Sequence, residues 1–356
     1  MKKSIKKVII GSIILFSVGF NLTALDSASY EATAFTIQDD ASSLMNVIDW
    51  KNLKFNKIFG FTNADSSGSG NLALFCHTKK KNVAGLSWQG NLWAESSYNT
   101  ISAFYGWKDF AVKFDFMERI SPTWYLDNFY CSDYKEFAGN ASFGYNINKK
   151  YAFSVDFGCS YLKGNITQNN TKTNYITYSP AAFFIYTFKD DKKENGKLYV
   201  NYSGDFLTRT SVKGKKETVT NYSQNSLTLG VRYLNTSSKR FIYAFSAELP
   251  ADLILGDDIP REIDLNCYIS NGLSFIIKPD SVFFNTGIKI SLPQVSFIED
   301  QEIKTDNFYC DIYAGFSFLI ASSIKIDLCT GIIAGSGITA PDIWNQDFKI
   351  SISARF

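Results

Sequence analysis

The side chains able to do chemistry in this 356-residue chain are sparse. His77 is its one histidine. Nucleophilic catalysis needs a base beside a hydroxyl or thiol, with a further group to orient that base. No G-x-S-x-G, H-E-x-x-H or G-x-x-x-x-G-K-[ST] run occurs, so no acyl-transfer, zinc-hydrolase or phosphate-loop site is spelled out. His77 shares a row with Asn71 and Ala73 and reads as a polar interior group. Cys76, Cys131, Cys159, Cys267, Cys310 and Cys329 lack any C-x-x-C spacing. Cys159, Cys267 and Cys310 stand beside Phe157, Leu265 and Phe308 in apolar rows, which favours small hydrophobes over disulfides or metal ligands. The chain is therefore read as a non-enzyme with no cofactor and no metal. What remains is charge. Lys113, Asp115, Asp156, Arg232, Glu248, Asp264, Lys289, Asp311, Lys325, Asp327, Lys349 and Arg355 alternate with apolar residues. Groups so placed can pair between strands, or set a field across a passage and sort solutes.

Alternation of this kind needs strands to position it. The last ten residues show it most plainly. Phe348, Ile350, Ile352, Ala354 and Phe356 form one row, and Asp347, Lys349, Ser351, Ser353 and Arg355 form the other. Successive side chains of a strand point to opposite faces. A strand in lipid turns the apolar row to acyl chains and the polar row to a lumen, and the terminal Phe356 resembles the end signature of bacterial outer-membrane barrels.

The N-terminus supplies a route to that membrane. Lys2, Lys3, Lys6 and Lys7 precede an apolar run from Val8 to Phe20, followed by small residues near Ala24 and Ser29. This pattern reads as a secretory signal peptide over 1–24, with an N-terminal anchor as the alternative. Removing those residues takes away four lysines and no acid from 36 Lys+Arg and 34 Asp+Glu, leaving 32 against 34. Such near-neutrality gives no support to a nucleic-acid partner. Aromatics make up 16% of residues, yet mean hydropathy is only −0.09 and no later run is long enough for a helical span. Abundant apolar area without apolar runs fits alternating strands.

From Leu53 the chain divides into about sixteen strand-like pieces, with fourteen within error. Short connections fall near Lys80, Lys108, Lys149, Ser237, Pro279 and Ser322. Longer polar ones are expected at Ala64–Gly70, Glu118–Ser132, Gly164–Lys172, Thr208–Asn221, Pro250–Arg261, Gln294–Thr305 and Ala334–Asn345. Membrane barrels have short periplasmic turns and long outer loops, so both termini would lie on the periplasmic side. Pro180, in the middle of the piece Thr173 to Phe188, removes a ladder donor and suggests a bulge. A soluble sandwich or propeller would have shorter strands and more Pro and Gly in its turns.

The stretch T-A-F-T-I-Q-D-D-A-S-S-L-M-N-V-I-D-W-K-N-L, Thr33 to Leu53, resembles a segment of the superfamily of FadL-type long-chain fatty-acid transporters and PorV-like outer-membrane proteins. Asp39, Asp40, Ala41, Ser42 and Leu44 match its pattern, and Asn46 takes the position of its asparagine. The family's following Pro-Ala-Gly is replaced by Val47-Ile48-Asp49. The resemblance implies fourteen strands, an N-terminal plug in the barrel mouth and carriage of apolar molecules.

The expected architecture is thus all-β: a transmembrane antiparallel barrel of about 14–16 strands over 52–356, with a short periplasmic or plug segment over 25–51. The expected location is the bacterial outer membrane. The partners would be the lipid bilayer, the barrel-assembly machinery through the C-terminal strand, and a hydrophobic small molecule. Phe183, Ile185, Tyr268, Tyr309 and Tyr313 lie on rows facing the lumen and are candidate lining for an apolar path, although rings there more often fill space. The basic cluster Lys213 to Lys216 is expected in a solvated outer loop. Passive uptake of hydrophobic molecules, general diffusion and a non-transporting surface role (adhesin or secretion partner) all remain compatible with these rows.

Overall fold

The computed structural model describes Thr33, 47–48 and Trp50, then residues 58–355 apart from 66–69, 78–81, 92–96, 127–128, 167–170, 192, 258, 300, 302, 306–307, 321–322 and 336–346. The expected signal peptide, the Asp39–Ser42 motif and Phe356 lie outside the described residues.

Period-two alternation becomes strand along nearly the whole described chain. The segments are β1 (Ile58–Asp65), β2 (Gly70–His77), β3 (Val83–Asn91), β4 (Ser97–Trp107), β5 (Phe110–Leu126), β6 (Phe129–Asn146), β7 (Tyr151–Ile166), β8 (Thr171–Asp190), β9 (Glu194–Lys213) and β10 (Lys216–Asn235). They continue with β11 (Phe241–Gly256), β12 (Ile259–Leu265), β13 (Tyr268–Lys278), β14 (Val282–Ser291), β15 (Val295–Ile298), β16 (Lys304–Thr305), β17 (Tyr309–Ile320), β18 (Ile324–Gly335) and β19 (Asp347–Arg355). β11 pairs with β12 through its second half and with β13 through its first, so β12 and β13 run on as one stave. β14 with β15, and β16 with β17, do the same, which gives sixteen staves. β1 pairs with both β2 and β19, and every pairing is antiparallel, so the sheet closes on itself. Closure leaves no sheet edge, the condition for strands to satisfy their backbone groups in lipid.

The register shows what each face is made of. One row around the wall runs Leu74, Leu86, Ala103, Phe114, Ala141, Phe157, Pro180. Leu86, Phe114 and Phe157 are 63%, 58% and 55% exposed, far more than apolar side chains in a water-soluble core. The adjacent row, one residue along each strand, runs Phe104, Lys113, Ser142, Asp156, Ala181, Ser203, Ser226, Asp252, Asp264, Ser296. The apolar row faces out and the polar row faces in. Near the tight turns the outer face carries stacked rings: Trp107 with Phe110 at 5.7 Å, Phe110 with Tyr145 at 4.5 Å and Tyr151 with Tyr186 at 5.3 Å. That is an interfacial aromatic girdle.

The turns at this end are short and internally hydrogen-bonded. Asp191 Oδ1 accepts from the backbone N–H groups of Lys193 and Glu194, both at 2.8 Å. Those donors hold its carboxyl below the usual carboxylate range, and the Lys189 ammonium adds to the effect.

Two expectations need correction. Pro180 causes no bulge. Tyr178 pairs with Phe206 and Ala181 with Ser203 in one unbroken register, while the shift on this strand pair falls between Thr187 and Lys189. The proline forgoes its own ladder bond, and its ring lies on the outward row beside Phe157. The long outer loops are also largely strand. β5 and β6 extend to Leu126 and Phe129, and β9 and β10 pair up to Lys213 opposite Lys216. Gly214, at φ +62°, supplies the left-handed position of that hairpin tip. The basic cluster therefore caps a projecting hairpin rather than an open loop. Strands of 20 residues in β8, β9 and β10 exceed the 9–11 needed to span a bilayer, so this wall stands well above the membrane.

Candidate functional site in the barrel interior

The interior changes character along its axis. At the short-turn end, Phe59, Phe61, Ala73, Phe75, Val83 and Phe104 of β1 to β4 point inward, and all are buried. Ala111 of β5, Ile185 of β8 and Tyr199 of β9 extend the cluster along this side of the wall, with Ala152 and Phe183 packed against it. Val47, Ile48 and Trp50 fill its centre and are 3%, 3% and 6% exposed. The wall is shaped for them. A Cβ on Gly106 would lie 2.8 Å from the Trp50 ring, and one on Gly144 would lie 2.7 Å from Val47 Cγ2 and 2.9 Å from the Val47 carbonyl oxygen. Asn146 Nδ2 donates to the Ile48 carbonyl at 3.3 Å, so the segment is latched as well as packed. This end of the barrel has an apolar floor.

The rest of the inner wall is charged and hydroxylated, in part level with the floor, where Lys113 lies in register with Phe104 and Arg355 with Phe59. Lys113 and Asp115, two apart on one strand face, meet at 2.9 Å, and Asn140 Nδ2 donates to Asp115 at 3.4 Å. Arg232 lies 3.5 Å from Glu248 and 5.1 Å from the Tyr199 ring centre, and the Tyr199 hydroxyl donates to Glu248. Lys289 stands opposite Asp311 and 5.2 Å over the Tyr268 ring. Lys325 and Asp327 meet at 3.1 Å, and Ser351 donates to Asp327 at 3.4 Å. Asp264 faces Asp252 across β11 and β12, and Asp156 lies between Ser142 and Ala181. Lys349 pairs in register with Cys329, and Arg355 with Phe59.

Three ion pairs, Lys113–Asp115, Arg232–Glu248 and Lys325–Asp327, are spread around the described wall, and the interior charges do not converge on one catalytic constellation. The five candidate path residues separate into two groups. Phe183 and Ile185 join the floor, with Phe183 5.5 Å from Tyr199. Tyr268, Tyr309 and Tyr313 lie on β13 and β17, where Tyr313 packs against buried Cys329. The inward Phe59, Phe61, Phe75 and Phe104 carry no signal in the row pattern. An apolar residue on the inner face of a barrel is explained only by what fills the middle. Cys76, Cys159, Cys267, Cys310 and Cys329 are free, and His77 lies on the inward row of β2.

Asp327 is the most buried of the charges, at 1% exposure. Asp327→Asn keeps the shape but removes the charge facing Lys325, and is expected to lower stability by about 1.5–3 kcal/mol. The midpoint of the heat-dependent gel-mobility shift would report it.

A closed antiparallel sheet, apolar outside and polar within, defines a transmembrane β-barrel. No protein-family model matches the chain, and no curated protein matches it. Solved barrels are similar in architecture. CdiB from Escherichia coli aligns over 85% of this chain and 63% of its own, at 9% identity and a TM-score of 0.50. The CymD monoaromatic hydrocarbon channel aligns over 95% of this chain and 99% of its own, at 11% identity and a TM-score of 0.46. The deltaS2 mutant of the TodX monoaromatic hydrocarbon channel aligns over 93% and 99%, at 9% identity and the same TM-score, 0.46. At these identities the likeness is one of fold.

Proposed function

We propose that this chain is a bacterial outer-membrane channel for the passive uptake of small hydrophobic molecules. One observation carries the reading. At the short-turn end of the lumen Phe59, Phe61, Phe75, Phe104, Phe183 and Ile185 pack with Val47, Ile48 and Trp50 into one apolar floor. Apolar solutes partition into such a floor, whereas hydrated ions lose their water without compensation. On this reading residues 1–24 export the chain, 25–51 form the plug, and the barrel over 52–356 is assembled through its C-terminal strand.

The charges and hydroxyls on the rest of the inner wall favour a second reading, a general diffusion porin. Two measurements on the reconstituted protein separate them. A plugged hydrophobic channel shows near-zero ionic conductance in a planar bilayer and speeds entry of a fatty acid or a small arene into vesicles. Large, steady conductance steps without that uptake would establish the porin instead.

A further inference from the structure

On the outer face of β6, β7 and β8 the apolar band ends in lysines. From Tyr151 to Tyr161 the outward residues of β7 include Val155 and Phe157, 46% and 55% exposed. Ten residue steps at about 3.3 Å, tilted by about 40°, rise about 25 Å, the height of the apolar band of such barrels. The next outward residue is Lys163. Its partner directly across β6 is Lys135, which follows outward-facing Phe137. On β8, beyond Ile176, Lys163 faces Asn174 and Lys172 follows on the same face. All three lysines are exposed, and none of their side chains takes part in an ion pair or hydrogen bond among the described residues.

Like charges directly opposite on neighbouring strands destabilise a sheet. Here the pair is joined by a third lysine, all at the level of lipid phosphates. Two acids lie near this cluster: Glu118, one outward position nearer the membrane centre and opposite Phe137, and exposed Asp133, two residues before Lys135 at the β6 bulge.

We infer that Lys135, Lys163 and Lys172 bind the phosphate headgroup of an outer-leaflet phosphoglycolipid whose acyl chains lie along Phe137, Phe157, Tyr161 and Ile176. The occupant follows from charge complementarity and from continuity with the lipid-facing band. A phosphate set over an apolar wall joins both on one molecule. The inference rests on the outer-membrane orientation but not on the transported solute.

The test is lipid retention by the full mature chain in detergent, read by native mass spectrometry after titration with lipid A. Wild type is expected to retain lipid A and to bind its dephosphorylated form more weakly. The Lys135→Gln/Lys163→Gln/Lys172→Gln variant should bind lipid A about tenfold more weakly or worse, and Lys163→Arg should bind as wild type. Lys149→Gln/Lys150→Gln, at the opposite end, should change nothing. Heat-modifiable gel mobility confirms that each variant is folded, and single Lys163→Gln serves if the triple variant is not. Equal binding by the lysine variants, equal binding of dephosphorylated lipid, or displacement by millimolar inorganic phosphate would overturn the inference. Ionic conductance and solute entry of the same preparations are read separately, so loss of the lipid site and failure of the channel reading give different results.

Discussion

Trp50→Ala is expected to open the barrel to ions and to weaken it at once. Trp50 is 6% exposed and sits at the centre of the apolar floor against Gly106. Removing a buried indole costs about 3–5 kcal/mol, from lost transfer energy and the cavity left behind. The cost falls first on the docking of the 47–50 segment, which Asn146 latches through the Ile48 carbonyl. Conductance in a planar bilayer should rise from near zero to steady steps, with a lower gel-shift midpoint. Gly144→Ala approaches the same result from the wall side. Its Cβ would sit 2.9 Å from the Val47 carbonyl, a backbone atom that cannot swing aside, so the segment itself must shift. Overpacking of this kind costs about 1–3 kcal/mol. Both variants conducting no better than wild type would show that 47–50 does not seal the pore.

The second large effect concerns the outer face. Phe114 lies midway along the bilayer-spanning part of β5, is 58% exposed and has Ala103 and Ala141 beside it. Phe114→Arg should destabilise the barrel in vesicles by about 2–4 kcal/mol, the cost of a cation near the bilayer centre. Met117→Arg, on the same strand but turned inward beside Asp115, should change stability by no more than about 1 kcal/mol. Urea unfolding in lipid vesicles measures both. Two charge insertions of similar size, an odd number of residues apart, then have opposite consequences because a strand alternates its faces.

Much of this architecture is legible in the residues themselves. The alternation of Phe114 and Phe116 with Lys113 and Asp115 states the two faces, and the pairing of Lys113 with Asp115 follows from spacing alone. Arg232 with Glu248 is different. That contact needs the register of β10 against β11, which no local pattern specifies. The length of the strands was hidden because hydropathy falls where the membrane ends, while the ladder continues. Backbone hydrogen bonds between Thr208, Thr210 and their partners need no apolar side chains, so β9 and β10 read as loop yet pair to the tip. The floor was hidden for the opposite reason. Phe59 and Phe75 look like lipid-facing residues until Val47, Ile48 and Trp50 are placed between them. Row parity says which residues share a face, and only the closed structure says which face is inside.

The central claim is that every second side chain of these strands meets acyl chains. Spin labels placed singly at 112 through 117 in the vesicle-embedded barrel test it most directly. Collisions with oxygen, which concentrates in lipid, should be strong at 112, 114 and 116, and collisions with a water-soluble nickel chelate strong at 113, 115 and 117. Labels at all these positions that respond alike to the aqueous reagent would contradict a barrel set in a membrane.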